Sequence, residues 1–231
     1  MAEQLGASDI IGTLGLGTPL AKFETQEFTK TSGTKYAQRK SRVGDVIEEA
    51  VTETVEEYEL SVLVKDHSKP AVTIDLGGAG YGSGANALVV TRVSVRQVSN
   101  NYPTLSLTCH RHPVLESGAT HDARKYAVTL PALCWGINEV ISITGATPPE
   151  EITSATFEAS VDHVDKYNRE GTKFLIGAST NCQLVETLEV LKSSDPDLQT
   201  NWFADPAATK EITADFATKT LKHHRHLPPA A

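Results

Sequence analysis

Reactive and cross-linking residues are scarce in this chain: 231 residues hold three cysteines, two tryptophans and one methionine. Cys109, Cys134 and Cys182 are odd in number and far apart, which excludes a disulfide framework. The spacing favours reduced thiols in a protein made in the cytosol, with a single disulfide as the lesser alternative. Aromatic residues make up 6% of the chain, little for a sugar-binding platform. No apolar run approaches the roughly 18 residues of a membrane-spanning helix, so no membrane partner is expected. The opening MAEQLGASDIIGTLGLG lacks both a basic n-region and a continuous apolar h-region, and is not expected to be a secretory signal. An excess of positive charge is missing too. Lys and Arg number 21 against 29 Asp and Glu, a formal charge of −8. That argues against a general nucleic-acid binder, which must place cations on phosphates.

Catalytic signatures are equally sparse. No G-x-S-x-G elbow is present, and Asp162 and His163 are sequence neighbours that point to opposite faces of a strand. A dispersed pair of carboxylates, as in glycosidases, needs no local motif and stays open. The run Gly77–Gly84, GGAGYGSG, follows a strand as a dinucleotide loop should. What comes after it, ALVVTRVSV, has a strand pattern, so no helix N-terminus is available for a pyrophosphate. A loop between strands is the better reading, and no cofactor is expected. Cys109, His110, His112, His121 and Cys134 contain potential metal ligands, and His110 and His112 share a strand face. They lack C-x-x-C or H-x-x-x-H spacing, however, so a surface or hydrogen-bonded histidine pair is preferred and no metal is expected. The terminal cluster His223, His224, Arg225, His226 reads as part of a solvated tail.

What the chain does have is alternation. In VTETVEEYELSVLVKD (51–66), Tyr58, Leu60, Val62 and Val64 fall on one side and Glu57, Glu59 and Ser61 on the other, the pattern of a half-buried strand. A helix over 46–66 is rejected: Glu49, Glu53 and Glu57 would stack like charges at i,i+4, costing about 0.2–0.5 kcal/mol per pair. Further strands are expected over Val72–Leu76, Ala87–Val98, Thr104–Cys109, Tyr126–Leu130, Glu139–Ile143, Ile152–His163 and Gln183–Leu191. The turn signal Asn100-Asn101-Tyr102-Pro103 makes Ala87–Cys109 a hairpin. The fold class expected is mainly β, an antiparallel β-sandwich or barrel with an extended N-terminal arm and a short C-terminal helix. Residues 1–45 form the arm, with a short helix near Glu3–Ile11. Residues 46–192 form the core. Residues 193–231 form a tail with its helix over Thr213–Leu221.

Three segments resemble bacteriophage tail-tube and related virion structural proteins. They are LVVTRVSVRQVSNNYPTLSLTCHRHP as a packing hairpin, EITSATFEASVDHVDKYNREGTKFLIG as a strand with its following turn, and the acidic VTETVEEYELSVLV as a long inner strand. The resemblance covers residues 45–192. It implies a non-enzymatic subunit that assembles with itself into a ring, for example a hexamer, or a tube. It also implies contacts with other virion proteins, and a channel through which DNA passes without specific binding. Such a subunit is made in the host cytoplasm and ends in the virion. The alternatives are a β-sandwich module binding glycan or protein, or a capsid decoration protein. Glu48, Glu49, Glu53, Glu56, Glu57 and Glu59 fall within twelve residues with no Lys or Arg between them. On the tube reading, Glu49, Glu53 and Glu57 face the channel. A solvated outer face is the plainer reading of the same run.

Overall fold

A computed structural model of the chain describes residues 5–15, 23–65, 72–78, 81, 87–98, 101–114, 118–130, 152–170, 172–177, 181–190, 202–204, 210–212 and 217–229. The expected strand Glu139–Ile143 and the residues Cys134 and Trp135 lie outside them. Among the described residues there is one helix, α1 (Ala7–Thr13), close to the expected position. The strands are β1 (Phe23–Lys40), β2 (Val46–Val64), β3 (Thr73–Leu76), β4 (Val89–Val98), β5 (Thr104–Val114), β6 (Thr120–His121) and β7 (Tyr126–Thr129). Then follow β8 (Ile152–Val161), β9 (Lys166–Tyr167), β10 (Lys173–Ile176), β11 (Cys182–Val190), β12 (Phe203–Ala204), β13 (Lys210–Ile212) and β14 (Ala217–Leu227).

Nine strands make one open sheet in the order β1-β2-β5-β4-β8-β11-β14-β12, with β13 also on β14. Every pairing in it is antiparallel. Its path does not close, so of the two expected forms, sandwich or barrel, the barrel is not formed. A two-stranded sheet, β3-β7, and a three-stranded sheet, β6-β10-β9, complete the described strands. The alternation read from the sequence sets which way each strand of the large sheet faces. Tyr58, Leu60, Val62 and Val64 of β2 are buried, as are Val93 and Val95 of β4, Leu105 and Leu107 of β5, and Phe157 and Ala159 of β8. They form one core with Ile74 and Leu76 of β3, Tyr126 and Val128 of β7, and Ile10, Ile11 and Leu14 at α1. The small sheet and the helix thus cover apolar area that the large sheet cannot cover itself. Ser61, Ser94, Ser106, Thr156 and Glu158 alternate out of the core, which gives the large sheet a polar second face.

The β4–β5 hairpin forms as expected, with Asn101 N–H donating to the Val98 carbonyl at its turn (3.1 Å). Gly78, just after β3, packs closely against the segment that leads into β7. Its φ is +56°, and a Cβ there would lie 2.6 Å from the Arg124 carbonyl oxygen. Only glycine tolerates both conditions.

Two expectations need correction at the chain's ends. The C-terminal helix is absent: from Ala217 onward the expected helix is strand β14, which pairs along β11 from Lys219 to Leu227. Leu221 packs on Ala155 and Leu188, and His223 is buried beside Glu186, so the alternation is satisfied by the open edge of β11. Helix propensity is a weak prior against such a docking edge. Residues 23–40 are extended, as an arm would be, but they lie paired along β2 from end to end.

Candidate functional site

Two features stand apart from ordinary sheet packing, and both involve β2. The first is a cluster of charged and imidazole groups under β10, where β5 ends and β2 runs on beyond it. The second is the projecting end of the β1–β2 hairpin.

The cluster is built on β5 by alternation. Cys109 belongs to the core, whereas His110 and His112 fall on the opposite face, which the sequence pattern anticipates. That face is not left to solvent. The His163 ring, just after β8, lies 4.0 Å from the His110 ring, and the His121 ring of β6 lies 5.7 Å from that of His112. Lys173 of β10 reaches in from above and is 1% exposed. Its Nζ is 2.6 Å from Glu53 Oε1 and 2.6 Å from Asp165 Oδ2. Glu53 Oε1 also lies 3.1 Å from His112 Nδ1, and Lys35 Nζ of β1 lies 2.8 Å from the other Glu53 oxygen. Asp165 Oδ1 lies 3.4 Å from His163 Nε2. Five strands or loops therefore meet on two carboxylates.

The electrostatics follow from this packing. Burial pulls the Lys173 ammonium down, but Asp165 and Glu53 more than offset it, so its pKa is raised and it stays charged. Burial pushes Glu53 up, and Lys173 and Lys35 bring it below the usual carboxylate range. Burial lowers His112 to about 4, with Glu53 resisting, so this imidazole is neutral at pH 7. His110 is lowered well below its ordinary value, first by burial and then by His163. Burial pushes the Cys109 thiol up to about 12, so it is no thiolate nucleophile at neutral pH.

On the core face of the same two strands, Glu56 meets Lys30 Nζ at 2.6 Å, the Tyr58 hydroxyl at 2.5 Å, and Arg111. Burial raises the Glu56 pKa, and these three donors bring it down to about 2.

The acidic residues read as one outward set are thus divided. Glu57 is exposed and opposite Thr31 of β1; Glu49 is exposed and opposite Gln38. Glu53 is a correction: it is 1% exposed and ion-paired. Its place in the alternation with Glu57 is as expected, but β10 covers that face at Glu53 and not at Glu57. The cations that neutralise Glu53 and Glu56 come from β1, β5 and β10, which no local inspection of β2 reveals. His163, Asp165 and Lys173 were likewise invisible as partners of His110 and His112, since 51 or more positions separate them along the chain.

The second feature is the hairpin end. β2 pairs with β5 only from Thr54 to Leu63, so Val46–Glu53 has β1 as its only partner strand among the described residues. This two-stranded ribbon extends about 25 Å at strand rise. Tyr36, Val43, Val46, Ile47 and Val51 lie on it, each at least 48% exposed.

No protein-family model matches the chain, and no curated protein matches it at a significant level. Fold and site define a mainly-β protein with a large open antiparallel sheet and a projecting two-stranded ribbon. Among the described residues no helix is long and apolar enough to cross a membrane.

Proposed function

We propose that this chain is a non-enzymatic bacteriophage virion subunit that self-assembles into rings or a tube, as a tail-tube or related tail or neck component. The observation that carries the reading is the β1–β2 hairpin. β1 is an 18-residue strand at the edge of the nine-stranded sheet, about 60 Å long at strand rise. Such an edge offers a row of backbone donors and acceptors to another strand. Its far end is a two-stranded ribbon, which is marginal in water without a third strand or a packing surface. The ribbon nevertheless carries exposed Tyr36, Val46, Ile47 and Val51. A second copy of the chain supplies the missing surface: the ribbon of one subunit lies against the sheet of the next, and repetition closes a ring. The polar second face of the sheet, with Glu57 and Glu59 exposed on it, then faces the channel, where DNA passes without being held.

The test is to replace residues 36–52 by Asn-Gly, which joins Lys35 to Glu53 through a two-residue turn suited to hairpins. Wild-type protein is expected to sediment as rings or tubes and to show them by electron microscopy. The shortened protein is expected to sediment as a monomer with its β-sheet circular dichroism retained. A wild type that stays monomeric at high concentration, or a shortened chain that assembles as well as its parent, refutes the proposal.

A further inference from the structure

We propose that His110, His112 and His163 form a binding site for one divalent first-row transition-metal ion, zinc by preference, which ties the end of β5 to the segment after β8. The three imidazoles offer ligand nitrogens that all lie within 4.8 Å of one another. Ligand nitrogens around tetrahedral zinc sit about 3.3 Å apart, given zinc–nitrogen bonds of about 2.0–2.1 Å. Side-chain adjustments of an ångström or so bring the three into that geometry.

A second observation is independent of the clustering. His110 Nε2 and His112 Nε2 are fully buried and have no hydrogen-bond partner among the described residues. A buried polar nitrogen left unsatisfied costs about 1–3 kcal/mol, so two in one place call for a ligand. A third is the outer layer. His112 Nδ1 is held by Glu53 at 3.1 Å, and His163 Nε2 lies 3.4 Å from Asp165. Metal-binding histidines are commonly oriented in this way, with a carboxylate on the nitrogen that does not bind. Lys173 bridges the same two carboxylates and fixes both. Gly177 leaves room for the His163 ring, since a Cβ there would lie 3.0 Å from its Nδ1. All-imidazole donors suit zinc, copper or nickel and not magnesium or calcium. The His163 side chain is 28% exposed and gives an ion its way in.

The sequence favoured no metal because Cys109, His110, His112, His121 and Cys134 lack the C-x-x-C or H-x-x-x-H spacing of a local site. Cys109 belongs to the apolar core, and His163 comes from 51 residues beyond His112.

The experiment uses full-length protein stripped with a chelator, then dialysed against zinc chloride and assayed by elemental analysis. About one tightly held zinc per chain is expected at this three-histidine site, with an upward shift in melting temperature. His163→Ala, at a partly exposed position, is expected to lose the zinc and the melting shift while keeping its circular dichroism. A His224→Ala/His226→Ala variant in β14 is expected to keep both. Cobalt(II) in place of zinc is expected to give wild-type protein the intense visible absorption of tetrahedral coordination. The inference is overturned by a wild type that holds no zinc. It is equally overturned by His163→Ala protein that holds zinc as the parent does, or by loss of zinc in the β14 variant. Assembly plays no part in these readouts, so failure here leaves the virion reading standing, and the reverse.

Discussion

At the scale of single residues, the buried charges of β2 are the most informative. Glu56 shares the core face with Tyr58 and is held by Lys30, Tyr58 and Arg111. Its carboxyl titrates near 2 in the folded protein, against 4.5 for an unperturbed one. A carboxylate with a depressed folded pKa contributes stability that is fully present above the unfolded value and is lost as pH falls through the folded one. The window is therefore from about pH 4.5 down to about pH 2, with a contribution on the order of 3 kcal/mol above it. Glu56→Gln is expected to lower stability at pH 7 by a few kcal/mol, because Arg111 stays buried beside a neutral amide. The variant is also expected to lose stability less steeply than the parent between pH 4.5 and 2. Urea unfolding across that range checks both; parallel curves for parent and variant would remove Glu56 from the account.

At the scale of elements, β14 separates two views of the C-terminus. If residues from 193 onward were a solvated tail, removing them would cost little. Pairing of β14 with β11 along nine residue pairs predicts otherwise. A chain ending at residue 216 loses the Leu221 contact with Ala155 and Leu188, and loses His223 beside the fully buried Glu186. Uncovering β11 also exposes a new strand edge. The truncated chain is expected to be insoluble or to melt well below the parent. Full-length melting behaviour in the truncated protein would show that β14 is dispensable. β1 taught the same lesson at the other end. Its sequence, FETQEFTKTSGTKYAQRK, has little apolar alternation, because both its faces are largely exposed. What makes it a strand is the edge of β2 beside it.

At the scale of the whole molecule, the question is which charges a channel would present. Glu53 is neutralised within the subunit, so it cannot contribute to a lining. Glu57 and Glu59 remain exposed, while Arg92 on the same polar face is paired with Glu158 at 2.6 Å. Arg96 is also exposed on this face, so on the tube reading it is the Glu57 and Glu59 carboxylates, repeated around a ring, that must keep DNA phosphates from being held. Glu57→Lys/Glu59→Lys is expected to leave the subunit folded and make assembled tubes retain duplex DNA at low ionic strength. Retention should fade as salt shortens the Debye length to about 10 Å at 0.1 M. Mutant tubes that hold no more DNA than the parent would show that this face does not line a path for DNA.

The sequence by itself determined the strands that are half-buried: β2, β4, β5, β8 and β11 announce themselves because one face meets a core and the other meets water. It also determined the β4–β5 hairpin, through its turn residues, and the shared face of His110 and His112. The tertiary structure alone decided what covers each face and edge. Glu53 and Glu57 are indistinguishable in the chain, yet Lys173 descends on one and leaves the other in water. The start of β14 reads as a helix until β11 offers it an edge, and His163 reads only as the end of a strand until the fold brings it against His110. Alternation is a local property with a period of two residues. Coverage depends on segments 50 to 120 positions away, whose arrival is set by sheet order and leaves no mark in the local pattern.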